Sequence, residues 1–326
     1  MPKVKGSLPV LAIDLGGTKI IAAIISHRGQ VMAKEYHPTL AKEGPPSVIN
    51  RLFSAIDHLL EGRNMDLSQL HGISIAAAGA IDLDRGVVTS SPNLPGWHDI
   101  PLRNIVSGKY KVKAFLINDA SAGALGEHRF GVGRGISNLI FLTVGTGIGG
   151  GIVINGRLYL GASGSAGEIG HMTIDVNGPR CSCGNIGCWE TLASGTAIAG
   201  EAIRRISHGE RSILTEMVEG KIENITAELV GMAAQGGDSL ALEVISQAAT
   251  YLGVGMVNLV NIFNPEMIIV GGGVMQMGDL LLEPARKVMK ERAFQLSARA
   301  VRIVPSQLGD NAAVLGAAVF AYGQSS

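Results

Sequence analysis

All three cysteines of this chain, Cys181, Cys183 and Cys188, fall in one short run, and His171 precedes them by ten residues. Three thiolates and one imidazole are the number and kind of ligands that close a tetrahedral zinc site. The spacings Cys-x-Cys and Cys-x4-Cys suit a tight knuckle, with Gly184 and Gly187 available for turning inside it. The alternative is three buried thiols beside a core histidine, but scattered core cysteines would not crowd into one loop. Such a set leaves no ligand position open, so the metal reads as structural. Glu168 and Glu190 flank the knuckle and would be fixed by it. Paired carboxylate acceptors suit the vicinal hydroxyls of a sugar.

Around this loop the chain has 326 residues, beyond the size at which single cores stop growing, so two domains are expected. Lys plus Arg and Asp plus Glu both number 27, which removes any global field for nucleic acid or an anionic membrane. The 45 glycines cluster in particular loops, as when backbone approaches a ligand. No signal peptide or uninterrupted apolar span is apparent, and free thiols in a metal-like cluster fit a reducing compartment. A soluble cytoplasmic protein is the expectation.

The pattern along the chain alternates strand and helix signals. Residues 9–14 read as a strand, 15–19 as a glycine turn, 20–25 and 31–37 as further strands, and Gly44-Pro45-Pro46 as a break. A helical apolar period follows over 47–61. Residues 73–82 predict a buried strand, and 90–99 a turn-rich segment with Asn93 and an exposed-looking Trp97. Residues 113–120 predict a strand ending at Asn118 and Asp119, and 121–131 a short helix. The pattern then restarts: strand 138–144, glycine turn 145–151, strand 152–154 and turn 155–157, a weak internal repeat of the opening hairpin. Helices are expected over 191–206, 224–235, 238–263, 279–293 and 310–323, the last capped by Asp310, with strands over 266–274 and 300–306.

Gly145-Thr146-Gly147-Ile148-Gly149-Gly150 matches G-x-G-x-x-G literally, but a strand follows it where a dinucleotide site needs a helix. No P-loop is present. What remains is two glycine hairpin turns in equivalent places and a third glycine loop at 271–273. Hairpin turns recruit glycine for conformational reasons alone, yet turns of this kind can also present N–H groups to phosphates. Asp119 could be an ordinary helix N-cap or the carboxylate that phosphoryl transfer to an alcohol requires. Asp14 could hold Mg²⁺ through water.

Taken together, Asp14-Leu15-Gly16-Gly17-Thr18-Lys19, Asn118-Asp119, Gly145–Gly151, Glu168 to His171 and Cys181-x-Cys183-Gly184-x-x-Gly187-Cys188-x-Glu190 resemble the ROK family of repressors, open-reading-frame proteins and sugar kinases. The resemblance runs from about residue 9 to about 320. It implies an α/β, actin-like ATPase (ribonuclease H-like) fold with two domains and a cleft between them: 1–117 completed by a helix at 310–326, and 118–309 carrying the knuckle. It implies that Asp119 is the base on a hexose 6-hydroxyl, glucose first, and that Asn93, Asn118, Glu168, His171 and Glu190 contact the sugar. His171, Cys181, Cys183 and Cys188 would hold structural zinc. Asp14, Gly16, Gly17, Thr18, Lys19, Gly145, Thr146, Gly147, Gly149, Gly271, Gly272 and Gly273 would hold ATP and Mg²⁺. A homodimer or homotetramer is implied as well.

One departure is Ala78, where kinases of this family often carry proline. Other substrates stay open: N-acetylmannosamine, N-acetylglucosamine, fructose or allose, and polyphosphate or ADP as donor. A sugar-sensing regulator is the alternative from another class. The balanced charge and the early start of the first hairpin weigh against the winged helix-turn-helix it would need.

Overall fold

The computed structural model describes residues 8–324. Among these, the strands in chain order are β1 (Val10–Leu15), β2 (Lys19–Ile25), β3 (Val31–Pro38), β4 (Gly72–Ala77), β5 (Ala80–Asp82), β6 (Val87–Ser90), β7 (His98–Ile100), β8 (Ala114–Asn118), β9 (Leu139–Val144), β10 (Ile148–Ile154), β11 (Arg157–Leu158), β12 (Met267–Gly271) and β13 (Arg302–Pro305). One sheet runs β3-β2-β1-β4-β8 and another β11-β10-β9-β12-β13, with β5-β6-β7 as a small third sheet. The first two share one plan, an edge strand and a hairpin followed by two further strands. The repeat legible as two glycine hairpins therefore extends to whole sheets.

The first sheet explains why β1, β2, β4 and β8 read as nearly unbroken apolar runs. Both of its faces are covered, so alternation has no polar side to show. Leu11, Ile13, Leu15, Ile20, Ala22 and Ile24 face one core, which also holds Leu52 and Ile56 of helix Pro45–Glu61. Val10, Ala12, Ile21, Ala23 and Ile25 face the other, with Val314, Leu315 and Ala318 of helix Ala312–Gly323. Each such Leu or Ile, fully buried, contributes about 1.5–3 kcal/mol. Helix Pro45–Glu61 starts two residues before the expected 47. Gly44 is its N-cap and the two prolines occupy its first positions, where no N–H partner is needed, so they begin a helix and do not merely interrupt the chain.

Several other expectations are corrected. Trp97 is not exposed: it is fully buried in the first core, its ring filling space beneath the turn-rich segment that holds it. The predicted strand 73–82 divides, because Gly79 at φ 114 breaks the ladder and sends β5 into the small sheet. Strand β10 begins at Ile148, so Gly149 and Gly151 pair in a ladder and lie outside the turn. The predicted helix 191–206 is interrupted at Ser194, which caps Gly195–Ser207 by accepting from the Ala197 N–H at 3.2 Å. Of residues 300–306, only Arg302–Pro305 form a strand, and a helix, Gln295–Ala300, precedes it. Asp310 is not the cap of the last helix. It lies in a 3-10 turn, and the helix begins at Ala312.

The chain divides into two compact units, 1–141 with 151–167 and 306–326, and 142–150 with 168–305. The boundary expected at 117/118 falls elsewhere for a physical reason. Helix Asp119–Phe130 packs on Ala312–Gly323, where a β-carbon on Gly126 would lie 2.2 Å from the Ala312 carbonyl oxygen, so it stays in the first unit. Glu127 of that helix is fully buried and pins the returning chain. Its carboxylate accepts from Ser306 Oγ at 2.6 Å, Leu308 N–H at 2.8 Å and Val132 N–H at 3.0 Å.

Helix Ser239–Phe263 is long and apolar enough to cross a membrane by length and composition. However, 56% of its most apolar window is buried inside the fold. It packs on Trp189 at Gly255 and on Val288 at Gly253, which makes it a core helix of the second unit.

Candidate functional site

In the first unit, sheet register assembles the site. Leu15 pairs with Ala77 and Ala77 with Asn118 across three parallel strands, so Asp14, the loop after Ala77 and the Asn118-Asp119 pair share one carboxyl end of the sheet. Open α/β sheets place ligands at that end. Ala78 extends the pairing, donating its N–H to Leu15 O at 3.1 Å, a bond a proline at this position could not make.

The N-cap of helix Asp119–Phe130 is Asn118, whose side chain accepts from Ser121 N–H at 3.0 Å and donates to Gly79 O at 3.1 Å. Asn118 therefore does the structural work that could have explained Asp119. The Asp119 carboxylate takes the Ala120 N–H at 2.8 Å, and burial raises its pKa. Asp14 is raised to about 7, by burial first and then by the charge of Asp119; Lys19 opposes and Asp310 adds to the rise. Two carboxyls held this way form an electrostatic site that a cation would relieve.

The turn between β1 and β2 is closed by Gly16 N–H donating to Lys19 O at 3.1 Å. It is braced by Thr39, a residue sequence reasoning passed over. Thr39 is fully buried, its hydroxyl donates to Gly16 O at 2.7 Å, and its N–H donates to Thr18 O at 2.9 Å. Lys19 pairs with Asp310 at 2.7 Å, which is the role Asp310 has in place of capping. Asn93 lies against this turn: a β-carbon on Gly17 would sit 2.7 Å from the Asn93 carbonyl oxygen and 2.9 Å from its Cβ. Gly17→Ala is therefore expected to cost about 1–3 kcal/mol through overpacking and to displace Asn93. Denaturant unfolding measures this, and a variant of unchanged stability would contradict the packing.

The raised Asp14 also sets a pH dependence. Its folded pKa of about 7 lies above its ordinary 3.8, so the stability it contributes is full at low pH and is lost as pH rises through about 7. In magnesium-free buffer, Asp14→Asn should gain thermal stability over the natural chain, and the gain should grow between pH 5.5 and 8. A pH-independent difference would mean that Asp14 is not held protonated.

In the second unit, the knuckle residues converge. The His171 nitrogen and the three cysteine sulfurs lie within 4.8 Å of one another. His171 Nδ1 is 3.7 Å from Cys181 Sγ, and Cys183 Sγ is 3.6 Å from Cys188 Sγ. Tetrahedral zinc with ordinary bond lengths asks for about 3.6 Å between nitrogen and sulfur and about 3.8 Å between sulfurs, so the donor set fits. The backbone shapes the loop through Cys181 N–H to Asn185 O at 2.8 Å and Gly187 N–H to Pro179 O at 2.8 Å. Gly187 has φ 66, and a β-carbon there would meet Asp175 O at 1.6 Å, so no other residue fits. Burial pushes the Cys188 thiol up to about 12, as expected for a sulfur that ionises only against a cation.

Glu190 joins this knuckle to the glycine turn. Its Oε1 is 3.5 Å from His171 Nδ1 and 3.3 Å from Cys181 Sγ, and its Oε2 accepts from Ile148 N–H at 3.4 Å. Glu168 lies on the other edge of the imidazole, with Oε2 3.9 Å from Nε2. The turn itself is anchored where Gly195 N–H donates to Gly145 O at 2.7 Å and Thr196 Oγ1 donates to Thr146 O at 2.8 Å. Gly271 ends β12, and Gly272 packs on Val144, where a β-carbon would lie 2.3 Å from its carbonyl oxygen. Gly273 starts a 3-10 turn. Each unit thus gathers its own share of the expected residues: Asp14, Gly16 to Lys19, Asn93, Asn118 and Asp119 in the first, and the knuckle, Glu168, Glu190, the turn at 145–147, Gly149 in β10 and the loop at 271–273 in the second.

The sequence model of the ROK family matches residues 10–324. A glucokinase of Thermotoga maritima is 36% identical over 318 residues, covering 98% of this chain and 97% of its own. A xylose repressor of Caldicellulosiruptor bescii is 37% identical over 309 residues, covering 94% of this chain and 76% of its own. Among solved structures, a ROK family glucokinase from Streptomyces griseus in complex with glucose and AMPPNP superposes with a TM-score of 0.85 at 33% identity, covering 96% of this chain and 98% of that one.

Proposed function

Because this chain belongs to the ROK family and has its actin-like ATPase fold, we propose that it transfers the γ-phosphoryl group of ATP to the 6-hydroxyl of a hexose, with glucose as the preferred substrate. The observation that carries this reading is Asp119, a desolvated carboxylate at the carboxyl end of parallel strands that its neighbour Asn118 has relieved of capping. The glucokinase relatives and the glucose-bound S. griseus structure support the choice of sugar.

In this mechanism Asp119 accepts a hydrogen bond from the sugar 6-hydroxyl and takes its proton as the oxygen bonds to the γ-phosphorus. The bond from that phosphorus to the bridging oxygen breaks, and ADP leaves. Little covalent chemistry falls to the protein, so position and charge dominate. Asn93, Asn118, Glu168, His171 and Glu190 hold sugar hydroxyls in this reading. The turns at 16–19, 145–147 and 271–273 offer N–H groups to phosphates. The capped start of helix Gly195–Ser207, tied to the turn at Gly145, adds a partial positive charge there.

Mg²⁺, held through water on the Asp14 side, would neutralise phosphate charge, and the carboxyl raised to about 7 fits a cation. Zinc on His171 Nδ1, Cys181, Cys183 and Cys188 would be structural, orienting His171 and its two flanking glutamates. A reducing, cytoplasmic setting that keeps these thiols available belongs to the same reading.

A coupled ADP-release assay with Mg-ATP tests the proposal on glucose, mannose, fructose, N-acetylglucosamine and N-acetylmannosamine. Turnover highest on glucose supports it, and turnover confined to an N-acetyl sugar moves the substrate. The xylose repressor relative motivates one other reading, sugar sensing without transfer. Tight sugar binding with no turnover would favour that reading.

A further inference from the structure

A second group of metal-ligand side chains lies in the first unit, apart from every residue used above: Glu35, His37 and His58. Glu35 and His37 are two apart on edge strand β3 and so share one face of it. That face, which also carries buried Ala33, is covered by helix Pro45–Glu61, and His58 lies in the last turn of that helix. Glu35 Oε2 is 3.3 Å from His37 Nε2, and the rings of His37 and His58 have centroids 5.9 Å apart. One ligand atom from each residue lies within 4.8 Å of the others.

We infer that Glu35, His37 and His58 form a second metal site, for a borderline divalent transition cation such as Ni²⁺ or Zn²⁺. Two imidazoles and one carboxylate are the donor set such cations prefer, and Mg²⁺ or Ca²⁺ would want more oxygens. Coordination asks for about 3.4 Å between ligand atoms. His58 is exposed and can supply the remaining approach by a change of rotamer. The helix ends three residues later, and its carbonyl-rich end favours a cation. Unlike the knuckle, three protein ligands leave a position open to water. The site would clamp the edge strand to its covering helix, two residues before Thr39, which braces the Gly16–Thr18 turn.

The test is nickel titration of the untagged chain by calorimetry, with zinc content measured in parallel. One nickel equivalent is expected per chain, with a raised thermal midpoint. His58→Gln and His37→Gln should each abolish that equivalent and the midpoint shift while leaving circular dichroism and zinc content unchanged. Absence of nickel binding to the natural chain would overturn the site, as would full binding by either folded variant. Glu35→Gln, which retains both imidazoles, should weaken binding at least tenfold and serves if a histidine variant does not fold.

Discussion

Asp119→Asn should lower kcat by about 10²–10⁴-fold, the scale of a lost general base, while the dissociation constant for glucose stays within a few-fold. The substitution is mild for the fold. The Asn oxygen can still accept the Ala120 N–H now taken at 2.8 Å, and the helix cap is Asn118, which is untouched. What disappears is a proton acceptor in a desolvated place. Calorimetry for binding and steady-state assay for turnover separate the two effects. A variant that binds and turns over normally would remove Asp119 as the base. One that loses binding in step with turnover would make it chiefly a sugar contact.

The second large effect is expected at the knuckle. Cys181→Ala deletes one of four ligands, while backbone bonds such as Cys181 N–H to Asn185 O and Gly187 N–H to Pro179 O can keep the loop folded as the metal is lost. Structural zinc supplies apparent binding energy of about 10–16 kcal/mol in small metal-folded domains, so partial loss is enough to release it. Zinc content should fall from one per chain to near none. Because Glu190 and Glu168 both lean on His171, glucose affinity should fall with it, by about 10–100-fold, as when groups that orient ligating side chains are lost. Since Glu190 also holds the Ile148 N–H, the Michaelis constant for ATP should rise as well, by less. Metal analysis showing no zinc in the natural chain would end the knuckle account, and a zinc-free variant with normal glucose affinity would separate the metal from the sugar site.

What could be read from the sequence is what short range dictates. The hairpin of β1 and β2 announces itself by apolar runs around a glycine turn, and the ligand set by the crowding of three cysteines. Long-range geometry stayed hidden. Trp97 sits among glycine and proline and looks exposed, yet it is fully buried in the first core. Asn118 and Asp119 are both good cap residues, and only the folded chain shows that Asn118 is the cap. Asp310 looks like a cap because it precedes a helix, but it faces Lys19 across nearly the whole chain length. Thr39, Glu127 and the Glu35–His37–His58 group carry no motif, because their partners come from distant segments. Glu190 was legible as a flank of the knuckle, but its bond to the turn at Ile148 was not.

The most direct measurement of the central claim is identification of the product by phosphorus NMR after incubation with glucose and Mg-ATP. The proposal predicts glucose 6-phosphate and ADP in equal amounts, formed at about 1–100 turnovers per second, with both formed about 10²–10⁴-fold more slowly by Asp119→Asn. ADP with free inorganic phosphate, or a chain that binds glucose and forms no sugar phosphate, would contradict it.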